Sequence, residues 1–161
     1  MDFLYTLPGG ITCLEGSSSF QPIATQRHLI LGKEASAYGS LLFSRLSNPE
    51  ITSIDDIRNK RIGVGQPLAS GGYQLGWKYL NDRGINMMTD CKQIVFYESD
   101  YNRMLDDVLS GTIDVGMTMS SWMESNRPGD MSFLRFLDLS QQSFAGEVYP
   151  FLTTTPLVPT F

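Results

Sequence analysis

The sequence predicts an α/β protein built on a βαβ-type sheet, and three observations predict it. Short apolar runs that read as strands recur along the chain, among them "RIGVG", "KQIVFY" and "IDVGMTM". Stretches with apolar residues three and four apart alternate with them, the spacing of an amphipathic helix. Glycine stands where those helices should stop, at Gly84 and Gly111.

In chain order, "DFLYTL" is an apolar, aromatic run closed by "PGG", a strand followed by a turn. "IATQRHLILG" and "YGSLLFSR" are two further strands, with the intervening Gly, Lys, Glu, Ala and Ser read as a loop. "SIDDIRNKRIGVG" reads as a helix running into a strand: Ser53 caps it, Asp55 and Asp56 sit in its first turn, and Arg58, Lys60 and Arg61 lie at its far end. The next helix follows Ser70-Gly71-Gly72, presents Tyr73, Leu75 or Gly76, Trp77 and Leu80 on one face, and stops at Gly84. "KQIVFY" is then a strand. A helix with Met104, Leu105, Val108 and Leu109 on one face ends at Gly111, and "IDVGMTM" and "FLRFLDLS" are the last strands. The tail "YPFLTTTPLVPTF" carries three prolines and no helical period, so it reads as extended chain.

Composition narrows the function classes. The 161 residues, 42% apolar and 18% charged, suit one globular domain with a real core. Net charge is −5 and the 12 basic residues are scattered rather than gathered into a stripe, so no nucleic-acid partner is expected. A small anion is a different matter, because local N–H groups and dipoles set its site. One histidine, His28, and two cysteines, Cys13 and Cys91, give little material for a zinc site or a histidine-centred triad. The cysteines could pair or stay free. No apolar run is long enough to cross a bilayer, and no basic segment with an apolar run after it reads as an export signal at the start of this sequence, so none is expected within it.

The chemistry-bearing patterns point the same way. "GVGQPLASGG" lacks the frame of a dinucleotide fingerprint, and no Gly-Lys-Ser/Thr follows it, so no nucleotide cofactor is called for. The pairs Asp55/Asp56 and Asp106/Asp107 are adjacent on helices and diverge, and no serine stands in a nucleophile elbow, so no enzyme is expected. What remains is the Ser-Gly-Gly start of a helix at the carboxyl end of "RIGVG", the edge where open α/β sheets bind ligands. Bare glycines there leave backbone N–H groups open to an anion.

The segments "DFLYTLPG", "IATQRHLILGK", "YGSLLFSR", "ITSIDDIRNKRIGVG", "SGGYQLGWKYLNDRGIN" and "VLSGTIDVGM" occur in the order and spacing of the phosphate/phosphonate-type periplasmic substrate-binding proteins of ABC transporters. Their wording most resembles the related ligand-binding domains of tetrathionate-sensor-type histidine kinases. The resemblance covers essentially the whole chain. It implies a type II periplasmic-binding-protein fold, here one complete α/β lobe plus a partial second lobe, with a small anionic ligand clamped between them. It places the complete lobe at residues 48–129, and the partial first lobe with the hinge strands at 1–47 and 130–161. It implies a phosphonate, phosphate or sulfur oxyanion as ligand, no cofactor, and a membrane permease or a sensor kinase module as partner, outside the cytoplasm.

Carried over by position, the family's anion-holding hydroxyl stretch falls on Ala69, Ser70 and Gly71, where only Ser70 keeps a hydroxyl. Gly72 and Tyr73 match the family's helix start. The hinge aromatic falls near Tyr38, and a histidine common before the following helix falls on Tyr101. The family's Thr-Asn-Pro becomes Thr6-Leu7-Pro8. The expected ligand-binding set is therefore Ser70, Gly71, Gly72, Tyr73, Tyr38 and Tyr101. Family members also place a long segment ahead of "DFLYTLPG", so the resemblance implies either a fragment or a protein in which a partner or a dimer replaces the missing part of lobe one. A remnant serving as a protein-interaction subunit, without a small ligand, is the alternative.

Overall fold

The computed structural model describes residues 39–137, together with the backbone of 28–30 and 33–35 and the isolated Leu4. Its main feature is a five-stranded sheet of β3 (Ser40–Arg45), β4 (Arg61–Val64), β5 (Gln93–Phe96), β6 (Val115–Met119) and β7 (Leu134–Leu137), in the order β5-β4-β6-β3-β7. β4 runs parallel to β5 and β6, while β3 runs antiparallel to β6 and β7. The two strands expected near the hinge are thus integral to this sheet. A separate hairpin pairs β1 (His28–Ile30) with β2 (Lys33–Ala35), so the Lys-Glu-Ala read as loop is a strand.

Alternation along the strands sends side chains to two faces, and both are covered, as the parallel part of this mixed sheet requires. Leu42, Ile62, Val64, Val115 and Met117 meet Ile54, Ile57, Leu80, Ile85 and Met87 on one side. Leu41 and Phe43 meet Met104, Leu105, Val108 and Met123 on the other. The first layer consists of α1 (Leu75–Asp82), α2 (Met87–Asp90) and the turn Ile54–Ile57, the second of α3 (Tyr101–Ser110) and α4 (Trp122–Asn126).

α3 forms as its sequence dictates. Asp100 caps it by accepting from the Arg103 N–H at 3.1 Å, Met104, Leu105 and Val108 are buried, and Gly111 ends it with φ at 84°. Elsewhere the local expectation is corrected. The helix expected from Ser53 is one 3₁₀ turn, because Asp56 turns back to accept from the N–H and hydroxyl of both Thr52 and Ser53. Arg58 and Arg61, expected at that helix's end, instead pair with Asp90 and Asp114, and Lys60 pairs with Glu50. On α1 the buried face is Leu75, Gly76, Tyr79 and Leu80, while Trp77 is 41% exposed. α2, α4 and the 3₁₀ segment Pro128–Phe133 carry too short a period to be read from the sequence.

Candidate functional site

The carboxyl ends of β4, β5 and β6 meet at one edge of the sheet, and the loops that leave them build the site. The loop after β4 is anchored from three sides: the Gly65 N–H donates to the Gly72 carbonyl at 3.0 Å, Gln66 N–H to Glu98 O at 3.1 Å, and Ala69 N–H to Gln66 O at 2.9 Å. The loop after β6 is tied to the start of β3, where Ser120 N–H donates to Gly39 O at 2.9 Å and Gly39 N–H to Ser120 Oγ at 2.8 Å. Two non-glycine residues at this edge hold left-handed backbone, Glu98 at φ 54° and Ser121 at φ 76°. Such conformations persist only where the surroundings enforce them, and they collect at functional sites.

The predicted helix start does not begin as an α-helix. Ser70–Gln74 forms a π-turn that runs directly into α1, with Gln74 N–H donating to Ala69 O at 3.1 Å and Leu75 N–H to Ser70 O. π-turns recur at functional sites. Tyr73 N–H is committed to Ala69 O at 2.9 Å, so the Tyr73 amide, expected as an anion donor, is already used. The N–H groups of Gly71 and Gly72 take no acceptor among the described residues.

Both glycines are buried, and close approach is the immediate reason they are glycines. A β-carbon on Gly71 would lie 2.9 Å from Met119 Cβ and 3.0 Å from the Gly39 carbonyl. One on Gly72 would overlap the Tyr101 hydroxyl, and one on Gly65 would stand 2.6 Å from that same oxygen. The structure thereby brings Gly71, Gly72 and Tyr101 together, residues about thirty positions apart in sequence. Ser70 is 4% exposed beside them.

The Tyr101 ring leans on Trp122, centroids 5.5 Å apart, and its hydroxyl has no hydrogen-bond partner among the described residues. Burial pushes its phenol above the ordinary tyrosine range, so at neutral pH it is a proton donor. Tyr73 is likewise pushed up by burial, and its ring packs at a tilt against Phe96 with centroids 5.6 Å apart. Tyr38 lies outside the described residues. Met119, Ser120, Trp122 and Gly65 were missed by sequence reasoning. The signal for three of them was present, since Met119 ends a recognisable strand and Ser120 and Trp122 follow at its carboxyl end.

Among the described residues no three His, Cys, Asp or Glu side chains gather to hold a metal ion, and no helix is long and apolar enough to cross a membrane. Geometrically the edge offers neutral donors and aromatic rings around a pair of open amides.

Comparison with known proteins bears on this arrangement. A family model described as "ABC transporter, phosphonate, periplasmic substrate-binding protein" matches residues 1–154. A comparison with the curated proteins returned no match. Among solved structures, a binding protein component of an ABC phosphonate transporter from Pseudomonas aeruginosa superposes with TM-score 0.56 at 18% identity, over 69% of this chain and 38% of that one. A protein from Prochlorococcus marinus in complex with methylphosphonate gives 0.53 at 21%, over 63% and 40%. A Xanthomonas citri protein bound to chloride ion gives 0.53 at 19%, over 67% and 42%. The chain therefore spans less than half the length of each of these proteins. The likeness shows the fold, a mixed α/β lobe of the type II periplasmic binding proteins. With the family model covering nearly all of its sequence, the chain belongs to the phosphonate-type periplasmic substrate-binding proteins of ABC transporters.

Proposed function

We propose that this chain binds a small oxyanion, without catalysis, at the carboxyl edge of β4–β6, and that it serves uptake by presenting the anion to a membrane permease. One observation carries the reading: the N–H groups of Gly71 and Gly72 take no acceptor among the described residues, and the Tyr101 hydroxyl, equally without a partner among them, packs against Gly72. Ser70 and Tyr73 border the two glycines along the chain, Ser70 buried and Tyr73 packed against Phe96.

A helix N-terminus contributes up to ~2 kcal/mol toward an anion, whereas micromolar affinity needs about −8 kcal/mol. The remaining donors come from across a cleft, from the chain ahead of β3 and beyond β7, including Tyr38, which on this reading forms the facing lobe and closes by hinge motion. The family match favours a permease over a sensor kinase as the receiver. Calorimetric titration of the full chain with methylphosphonate, inorganic phosphate and thiosulfate tests the proposal. Saturable heat with at least one anion is expected, and silence with all three sinks it.

A further inference from the structure

β5 is the outermost strand of its sheet, and among the described residues nothing pairs with its outer side. The parallel ladder to β4 uses alternate residues of β5: Tyr97 N–H donates to Val64 O at 2.9 Å, and the register Arg61↔Gln93, Gly63↔Val95 puts Gln93 and Val95 in the same inward set. The N–H and C=O groups of Ile94 and Phe96 therefore point off the sheet. Proteins guard such an edge with charge, proline or a bulge. β7, at the other edge, carries Arg135 within the strand, whereas β5 reads "QIVF" without charge or proline, and its Phe96 is 41% exposed.

We propose that this edge joins a second copy of the chain, the two β5 strands pairing antiparallel about a twofold axis at Val95. The edge is complementary to its own reversal. Centred on Val95, the pairing sets Ile94 opposite Phe96 of the second copy, and these two, whose backbone groups face outward, exchange both N–H···O bonds. Their side chains share one face, giving an aliphatic–aromatic cross-strand pair on each side of the axis. The same register sets Lys92 opposite Glu98. The chain keeps step with β4 over that whole span, since Lys92 N–H donates to Lys60 O at 3.0 Å and Glu98 O accepts from Gln66 N–H at 3.1 Å. Both side chains are exposed and join no ion pair among the described residues. Charge also fixes the register: a slip of two residues one way sets Glu98 against Asp90, and the other way against Ile94. Because the paired strands run in opposite directions, the carboxyl edges of the two copies point to opposite ends of the joined sheet. A single strand pair is a small interface, at the weak end of specific association.

Sedimentation of the full chain without any anion tests this, so the result is separate from that of the ligand site. The mass should rise from monomer toward dimer between about 2 µM and about 200 µM. Over the same range hydrogen exchange at the Ile94 and Phe96 amides should slow, while Gln93 and Val95, bonded to β4 within one copy, change little. Lys92→Glu and Glu98→Lys should each weaken association by about tenfold, and the two together should restore it, because the charges again oppose. A chain still monomeric at about 200 µM overturns the inference. So does a dimer indifferent to both single charge reversals, or one in which the Ile94 and Phe96 amides exchange as fast as in the monomer.

Discussion

Replacing Tyr101 with phenylalanine separates binding from folding at this edge. The hydroxyl lies against Gly72 and within 2.6 Å of where a β-carbon on Gly65 would stand, and it has no hydrogen-bond partner among the described residues. The ring, which Phe retains, carries the contact with Trp122 at 5.5 Å. Removing the oxygen should therefore leave stability within about 0.5 kcal/mol. If the same oxygen donates to a bound anion, a charge-assisted hydrogen bond is lost, costing about 1.5–3 kcal/mol, or about 10- to 150-fold in Kd. Calorimetry with the tightest-binding anion reads the first quantity, and urea denaturation followed by circular dichroism reads the second. An unchanged Kd refutes Tyr101 as a ligand donor. A large loss of stability with unchanged binding makes it purely structural.

Other variants probe neighbouring claims. Gly72→Ala places a methyl on the Tyr101 hydroxyl and should destabilise by about 1–3 kcal/mol, less in a Tyr101→Phe background, a coupling that a double-mutant denaturation cycle measures. Asp114→Asn weakens the fork from Arg61 Nε and Nη2, at 2.9 and 2.7 Å, that ties the start of β4 to the start of β6, and should cost about 1–2 kcal/mol in urea melts. The Arg61 hydrogen bond lowers the Asp114 carboxyl, and hydrogen bonds from Thr52 and Ser53 take Asp56 from 3.8 to about 2. The stabilisation from both is therefore complete above the unfolded value; that from Asp56 is lost as pH falls from 3.8 toward about 2 and that from Asp114 as pH falls below the ordinary carboxylate range, to be followed by acid titration of the melting temperature. Burial, with Asp90 adding to it, pushes the Cys91 thiol up to about 11, so peptide-mapped alkylation at about pH 8 should be at least about tenfold slower than in the unfolded chain.

What could be read in advance, and what could not, follows from the range of the forces involved. "RIGV", "QIVF" and "VGMTM" are mostly apolar, in β4 and β6 because both sheet faces are covered there, so their strands are legible from local composition. α3 is legible because its apolar stripe and Gly111 agree, and the Asp100 cap found in the structure fits them. The 53–60 segment misleads because its acidic first turn looks like a helix start, while Asp56 satisfies four groups within its own turn and stops propagation. Trp77 misleads because the turn before α1 is a π-turn, which rotates the following residues and puts Tyr79 at the core in its place. The commitment of the Tyr73 amide follows from where the turn begins, since an N–H four residues after Ala69 is the first to find its carbonyl.

The pairing of Gly72 with Tyr101 was out of reach of any local pattern, since it depends on how β4, β5 and α3 are stacked. It also changes what the glycines mean. Two glycines ahead of a helix suggest a backbone bared for an anion, yet here each glycine is needed so that another group can approach it: Met119 at Gly71 and the Tyr101 oxygen at Gly72. The two roles are compatible because they use different atoms. The α-carbon face receives the neighbouring side chain, while the N–H groups of both residues keep no acceptor among the described residues. A substitution at either glycine consequently perturbs fold and binding at once, so loss of affinity in Gly71→Asp cannot by itself assign the site. The Tyr101 hydroxyl is better placed to do so, because the fold makes no hydrogen bond to it among the described residues and a bound anion could.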